Sequence, residues 1–290
     1  ARAMAGRAAA LLAAATLALS PLIVFDAHQA RADQLLLFTT TAALACVWHL
    51  WRVATRQAMS LPSVAQVSGL CIEGAQTPQR HSPHRVPRSL PAATSRWAIL
   101  FWLCLGLSIL TKGPIGPLVL ALTILALCVT TRRWRWLTQL KPITGVLILA
   151  AMITPWVYLI ADHFARANDT DLFTGFTTLA SLTWTESAGR AAGSSEHAWL
   201  PPGVHFVLLA VLFWPGSLLT LHALTRAIAR VRRTRPADAH RVITHRPELF
   251  LLAWIVPSWI VFELIGAKLP HYVMPMYPAI AILSAKATIA

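Results

Sequence analysis

The chain has 290 residues, of which 56% are hydrophobic and only 12% are charged, and its mean hydropathy is +0.59. A soluble domain carries about twice that charged fraction, so the composition excludes an ordinary soluble domain and predicts an integral membrane protein. The net charge of +14 does not indicate nucleic-acid binding, because the arginines lie in short clusters between apolar runs, as the positive-inside rule describes.

Apolar runs recur along the whole chain and predict an all-α fold, a polytopic membrane bundle of about eight transmembrane helices. The runs are Ala8–Phe25, Leu35–Trp51, Trp97–Leu110, Leu118–Thr130, Ile143–Ala161, Val204–Leu224, Phe250–Gly266 and Tyr272–Ser284. Several are shorter than the roughly 20 residues of a perpendicular span, so flanking residues must extend them. The third and fourth runs could instead form one broken, re-entrant element at Gly113–Pro117.

The basic clusters between the runs predict the orientation. If each run crosses once, all the clusters fall on one face, which is then cytoplasmic. The cytoplasmic connection 60–95 is rich in Pro, Ser, Gln and Arg and is predicted to be disordered. The opposite face receives the turn at Lys112, the long connection 162–203 and the segment 268–271. We expect the connection 162–203 to be a substrate-facing outer loop.

Asp33 follows Arg31 where the second run enters the membrane. The arginine would keep this carboxylate ionised, and a functional role and an ordinary acid at a helix start are both open. Lys112 lies beside Gly113 and Pro114, where two helices end. A lysine there can present its ammonium and free backbone donors to a phosphate, or it can simply mark the interface by snorkelling.

Lys268 and His271 flank Pro270 between the last two runs, at the predicted membrane boundary. Ionisable groups at membrane depth are functional candidates by default. We expect both to contact an anionic group. Glu263 lies inside the apolar run, where an unpaired carboxylate is very unfavourable. It is predicted to pair with Lys268 or with another cation, and a purely structural ion pair is an equal alternative.

Glu186, His197 and His205 are the remaining candidates for acid and base groups or for metal ligands. Their spacing matches no zinc signature, so no metal ligand is assigned and a divalent metal is left only as an option. No cofactor is otherwise predicted. The segment Phe213–Ser217 predicts a kink in a helix.

These motifs occur in one order that resembles the bacterial glycosyltransferase family 39 enzymes, relatives of the 4-amino-4-deoxy-L-arabinose lipid A transferase and of protein O-mannosyltransferases. The elements that carry the resemblance are Ala30-Arg-Ala-Asp33, Leu110-Thr-Lys-Gly-Pro114, Pro201-Pro-Gly203 with His205, Phe213-Trp-Pro-Gly-Ser217, Phe262-Glu263, Lys268-Leu-Pro-His-Tyr272 and Tyr277-Pro278. They extend over most of the chain.

The resemblance implies a GT-C type membrane fold in the bacterial inner membrane with its active site at the periplasmic surface. It implies transfer of a sugar from a polyprenyl phosphate carrier to a glycolipid such as lipid A, or to a protein. In that scheme Asp33 and Glu186 are catalytic, and Lys112, Lys268 and His271 hold the carrier phosphate. Family members carry a further span and an acidic outer loop upstream of the Asp33 element, so the resemblance also implies an N-terminally truncated copy.

Two other functions fit a multi-span chain with charges near the membrane boundary. A secondary transporter places its ionisable residues near the midplane and is often built from internal repeats, whereas here all candidates except Glu263 lie at the ends of runs and no repeat is evident. An inactive membrane scaffold is the second alternative. The partners predicted are the lipid-linked sugar, its acceptor and membrane lipids, and no nucleic acid.

Overall fold

The computed structural model describes residues 1–29, 31–60, 91–192, 201–232, 247–266 and 268–289, and in these ranges the chain is almost entirely helical. The helices are α1 (Arg2–Ala18), α2 (Pro21–His28), α3 (Asp33–Ser60), α4 (Pro91–Lys112), α5 (Ile115–Thr131), α6 (Pro142–Ala167), α7 (Leu172–Ala192), α8 (Val204–Leu212), α9 (Ser217–Arg232), α10 (Pro247–Leu264) and α11 (Tyr277–Ile289). Two 3-10 helices, Arg135–Leu140 and Pro270–Met276, join some of them.

Four of the described helices, α3, α4, α6 and α10, are long and apolar enough to cross a membrane. The pair α1 and α2, bent by 55° at the break between them, adds a fifth if it is one span, and α5 is apolar but has only 17 residues. The all-α polytopic membrane fold is therefore confirmed. The count of eight crossings stays a prediction.

The core lies around α10 and α11. α11 has 13 residues and is buried over its first nine, from Tyr277 to Ala285, because α1 and α9 pack against it. α5 packs on α10, and α3 packs on α4. Aromatic contacts close the centre: the ring of Phe250 meets the ring of Trp48 at 5.1 Å between centroids.

Gly113 lies between α4 and α5, and the choice between two separate spans and one broken, re-entrant element stays a prediction. The φ of Gly113, 63°, lies in the left-handed region that favours glycine, and its N–H donates to the carbonyl of Ile109 at 2.8 Å. α5 then returns along α4, where Gly116 packs so closely on Ser108 that a Cβ atom would lie 2.4 Å from the Ser108 hydroxyl.

The run predicted as Val204–Leu224 is interrupted, as the kink prediction required. α8 ends at Leu212 and α9 begins at Ser217, and the Trp214–Pro215 peptide bond between them is cis. The last run is also divided, since the 3-10 helix Pro270–Met276, with Pro275 inside it, comes before α11. Pro278 lies in the first turn of α11, where its missing N–H removes no helical hydrogen bond.

The described part of the connection 162–203, residues 162–192 and 201–203, is largely helical, and the assignment of this connection to the outer face stays a prediction. α6 continues to Ala167, and α7 occupies Leu172–Ala192 and packs on α6. Gly175 lies against the backbone carbonyl of Ala161. The predicted disordered connection 60–95 falls mostly outside the described residues, and its margins, Ser60 and residues 91–95, belong to α3 and α4.

The bundle has two ends that differ in their charges. We call the end that holds Asp33, Lys112 and Glu263 the outer end, and the end that holds Arg52, Lys141 and Glu248 the inner end. At the inner end Arg52 donates to the carbonyl of Ala3 at 3.5 Å. The ammonium of Lys141 also donates to the hydroxyl of Ser95 at 2.6 Å. The basic segments that the structure describes thus meet at one end, as their spacing predicted.

Candidate active site

Asp33 and Lys112 form an ion pair at the outer end. Asp33 is the first residue of α3 and Lys112 is the last residue of α4, and the ammonium Nζ donates to the carboxylate Oδ1. The Asp33 side chain is 3% exposed and that of Lys112 is 26% exposed. A buried carboxylate needs such a partner, while the lysine keeps partial access to the surroundings.

This pair changes two expectations about the residues around it. The cation that the structure places on Asp33 is Lys112, whereas Arg31 is exposed on the turn before α3. The Gly113 N–H, expected to be a free donor beside Lys112, is occupied by the carbonyl of Ile109. Lys112 therefore brings its ammonium to the outer end without the Gly113 N–H as a second donor.

Asp26 is a buried carboxylate beside this pair that the sequence reasoning missed. It lies in α2 with 1% of its surface exposed. The side-chain amide of Gln34 donates to Asp26 Oδ2 at 3.4 Å and to the carbonyl of Ile23 at 3.0 Å, which ties α2 to the start of α3. The signal available in the sequence was an aspartate directly after the apolar residues Pro21–Phe25, followed by a second acid at position 33.

Glu263, His205 and Gly203 form a second cluster at the outer end. One carboxylate oxygen of Glu263, Oε2, accepts the backbone N–H of Gly203 at 2.9 Å. The other, Oε1, lies 3.4 Å from Nδ1 of His205, without the geometry of a hydrogen bond. Nε2 of the same imidazole lies 3.3 Å from the carbonyl of Leu269.

The side chain that faces Glu263 is thus the imidazole of His205 and not the ammonium of Lys268. Lys268 is 4% exposed, and its ammonium donates to the carbonyl of Ile265 at 3.0 Å, just past the end of α10. A cation at the carboxyl end of a helix is favoured by the unsatisfied carbonyls there. His271 is half-buried in the following 3-10 helix, with its ring edge-on to Tyr272 at 5.2 Å.

The two clusters lie at the same end of the bundle. α2, which carries Asp26 close to Asp33, contacts both α8 and the 3-10 helix Pro270–Met276. Ser20, at the start of α2, donates to the carbonyl of Leu212 at 2.6 Å. Lys112 and the Lys268–His271 segment are therefore not at opposite ends of the bundle.

Two predicted candidates lie outside what the structure describes: the side chain of Glu186, although its backbone belongs to α7, and the whole of His197. Within the described ranges, no group of three or more His, Cys, Asp or Glu residues is arranged to hold a metal ion. The second cluster holds two residues of these types, His205 and Glu263, and the two together do not form a set of metal ligands.

No protein-family model matches the sequence. The chain is 29% identical over 205 residues to an undecaprenyl phosphate-alpha-4-amino-4-deoxy-L-arabinose arabinosyl transferase of Pseudomonas aeruginosa, with 69% of this chain and 33% of the relative covered. It is 30% identical over 207 residues to the second such transferase of Proteus mirabilis, with 68% and 32% covered. The chain therefore spans about a third of the length of these curated relatives.

The fold matches the crystal structure of ArnT from Cupriavidus metallidurans bound to undecaprenyl phosphate. The TM-score is 0.65 at 21% sequence identity, and the match covers 99% of this chain and 42% of that one. The apo structure of the same protein matches with a TM-score of 0.62. The described helices thus share the arrangement of a polytopic membrane protein.

Proposed function

Because this chain is similar in sequence and fold to the undecaprenyl phosphate-alpha-4-amino-4-deoxy-L-arabinose arabinosyl transferases, we propose that it functions as a membrane glycosyltransferase. The reaction moves a sugar from a polyprenyl phosphate carrier to a lipid A-like acceptor or to a protein. It takes place at the periplasmic face of the bacterial inner membrane, which is the face of the outer end.

The observation that carries this proposal is the collection of buried and half-buried ionisable groups at the outer end. Asp33, Lys112, Glu263, His205 and Lys268 come from four separate parts of the chain, yet they lie at one end of the bundle. Buried charges are costly unless they are paired, and ionisable groups at membrane depth are functional candidates by default. An anionic lipid head at the membrane boundary gives them a use.

The proposed chemistry needs cations for the leaving group and a base for the acceptor. The bond between the sugar C1 and the phosphate oxygen breaks, the carrier phosphate leaves with the electron pair, and an acceptor oxygen forms the new bond to C1. Positive groups placed where charge grows on the departing phosphate stabilise the transition state. A carboxylate takes the acceptor proton.

Within this scheme the Asp33–Lys112 pair prepares a cation for the phosphate. Asp33 fixes the direction of the Lys112 ammonium, which is the more exposed partner, and an arriving phosphate would share that ammonium. Lys268 and His271 supply the second cationic side of the phosphate site, with Lys268 leaving the Ile265 carbonyl. Asp33 and Glu186 are the proposed carboxylates that orient the substrates.

Binding of undecaprenyl phosphate to the purified 290-residue chain tests the proposal. The chain in detergent should bind undecaprenyl phosphate, and both Lys112→Gln and Lys268→Ala should weaken binding by about tenfold, in line with the loss of a charge-assisted hydrogen bond. Arg132→Gln is the matched control, because Arg132 is exposed at the other end of α5 and its loss changes the net charge equally.

Sugar transfer from a radiolabelled polyprenyl phosphate sugar then separates an enzyme from the alternatives. Transfer by membranes that contain the chain, and its loss in the two lysine variants, supports the glycosyltransferase. Uptake of a solute into vesicles without transfer supports a transporter. Affinity for undecaprenyl phosphate that is the same in Lys112→Gln, Lys268→Ala and Arg132→Gln would remove the phosphate site altogether.

A further inference from the structure

A seam between α9, α10 and α11 runs from the inner end into the depth of the bundle, away from the proposed active site. α9 and α10 both pack on α11. Two small side chains of α9, Ala223 and Ala227, are 1% and 2% exposed, which lets the helices approach closely. Leu283 of α11 lines this seam both at its charged mouth and at its apolar interior.

The mouth of the seam holds more positive than negative charge. Glu248 accepts from Arg230 at 3.0 Å and from Lys286 at 2.9 Å, both on its Oε1 atom. Arg226 lines the same small cavity and donates to the carbonyl of Ala287 at 2.8 Å. Among the residues that the structure describes, three cations thus surround one carboxylate. The excess positive charge favours an anion.

The interior of the seam is an apolar groove. Its volume is about 140 Å³, and it is lined by apolar side chains of α8, α9, α10 and α11, among them Leu224, Ile255, Trp259 and Ile280. Phe206, Val256 and Ile260 line its open side and are 58%, 42% and 53% exposed. In a bilayer this side faces the hydrocarbon of the membrane.

The distance between mouth and groove suits a lipid of the inner leaflet. Ile255 and Ile260 lie seven and twelve residues after Glu248 on α10, which is roughly 10 and 18 Å along the helix axis. One leaflet contributes about 15 Å of hydrocarbon. A phosphate held at the mouth therefore places an acyl chain beside the groove.

We propose that this seam is a binding site for an anionic phospholipid of the inner leaflet, with the phosphate on Arg226, Arg230 and Lys286 and one acyl chain in the groove between α8, α9, α10 and α11. Basic pockets between helices on the cytoplasmic side are typical sites for anionic lipid heads. The site is separate from the carrier site of the outer end, because Glu248 and Glu263 are 15 residues apart on one helix.

Native mass spectrometry of the 290-residue chain in detergent tests this site. Dioleoyl phosphatidylglycerol should bind more tightly than dioleoyl phosphatidylcholine. Arg226→Gln should lower the affinity for phosphatidylglycerol about fivefold, the effect expected of one basic residue near a membrane surface. Arg132→Gln, which removes an exposed arginine from the same end outside the seam, should leave it unchanged.

A second variant tests the groove without removing a charge. With its groove open, the parent chain should bind dioleoyl phosphatidylglycerol more tightly than dihexanoyl phosphatidylglycerol. Val256→Phe adds bulk on the open side of the groove and should abolish this preference. Equal binding of the two head groups, or equal losses in Arg226→Gln and Arg132→Gln, would overturn the site. So would full displacement of the lipid by inorganic phosphate, since a free anion would then be the ligand. Displacement by undecaprenyl phosphate that Lys268→Ala prevents would reassign the groove to the carrier of the outer end.

Discussion

The two ends of α10 each hold a buried glutamate, and the two carboxylates are stabilised in different ways. Glu248, in the first turn, is 6% exposed and shares its Oε1 atom between an arginine and a lysine. Glu263, in the last turn, is 8% exposed and has a backbone N–H on one oxygen and an imidazole at 3.4 Å from the other. The inner carboxylate is therefore held by full charges, and the outer one mostly by groups that are neutral or can become so.

This difference separates a structural charge from one that can respond to a ligand. A carboxylate between two permanent cations is fixed, and removing it leaves both cations uncompensated. A carboxylate beside a histidine changes its environment when the imidazole gains or loses a proton. The outer end, where Glu263 faces a histidine, also carries the Asp33–Lys112 pair and the proposed phosphate site.

The largest expected effect is the loss of the inner carboxylate. Glu248→Gln should lower the free energy of unfolding by about 3 kcal/mol, at the low end for a broken buried ion pair, because the Arg230 side chain is 40% exposed and regains some hydration. Thermal unfolding in detergent, followed by circular dichroism, measures the effect. Lys286→Gln is the matched variant, and it should cost less because Arg230 still pairs with Glu248. A variant Glu248→Gln as stable as the parent chain would show that the inner end is not held by this carboxylate.

The Asp33–Lys112 pair should give an intermediate effect. Asp33→Asn leaves the Lys112 ammonium without its carboxylate, but this side chain is 26% exposed and can turn toward water, so a loss of about 2 kcal/mol is expected. The double variant with Lys112→Gln should be more stable than the sum of the two single losses predicts, since both remove the same interaction. Thermal unfolding in detergent measures all three variants. Additive losses in the free energy of unfolding would mean that the two side chains do not interact.

The loss of charge on Glu263 should have a smaller effect. Glu263→Gln keeps an oxygen for the Gly203 N–H and removes only the charge that faces His205, so about 1 kcal/mol is expected. Glu263→Ala, which leaves that N–H without its acceptor, should cost more. Unfolding curves of the two variants, measured side by side, make the comparison. Equal losses would show that the charge matters more than the hydrogen bond. The two glutamates of α10 would then be stabilised in more similar ways.

The sequence predicted where the ionisable residues lie along the bundle, and it failed to predict their partners. Hydropathy and arginine spacing place Asp33, Lys112 and Lys268 at the ends of runs, because only run ends keep a charge near water. Whether Asp33 meets Arg31 or Lys112 depends on how α3 and α4 pack, which a single sequence does not encode locally. Lys268 turns to the Ile265 carbonyl because α10 ends at Leu264, and that leaves Glu263 to His205 of another helix.

Helix α7 shows the same limit for the fold. Its residues, Leu172–Ala192, are rich in Thr, Ser and Gly and carry little periodicity, so composition suggested a loop. The local signal was the spacing of Asp171 and Thr174, since a helix often begins after an acid whose side chain caps the first backbone N–H groups. Packing on α6 then stabilises a helix that propensity alone does not favour.

The smallest expected effect concerns Asp171, which supplies the exposed counterpart to the buried glutamates of α10. Its Oδ1 atom accepts from the hydroxyl and from the backbone N–H of Thr174, and these hydrogen bonds lower the pKa of the Asp171 carboxyl below its usual value of 3.8. Because the pKa is lower in the folded chain, the stabilisation of α7 is fully present above the unfolded pKa and is lost as the pH falls through the folded pKa. Helicity measured by circular dichroism between pH 6 and about pH 2, the acid limit of such carboxyls, should therefore fall slightly in the parent chain below about pH 4. Asp171→Asn should remove this part of the pH dependence, whereas Asp169→Asn, at the neighbouring exposed turn, should retain it. If both variants kept the same acid transition as the parent, the Asp171 carboxylate would not stabilise α7. An exposed acid with neutral donors could then not be compared with Glu248 and Glu263 as a stabilising carboxylate.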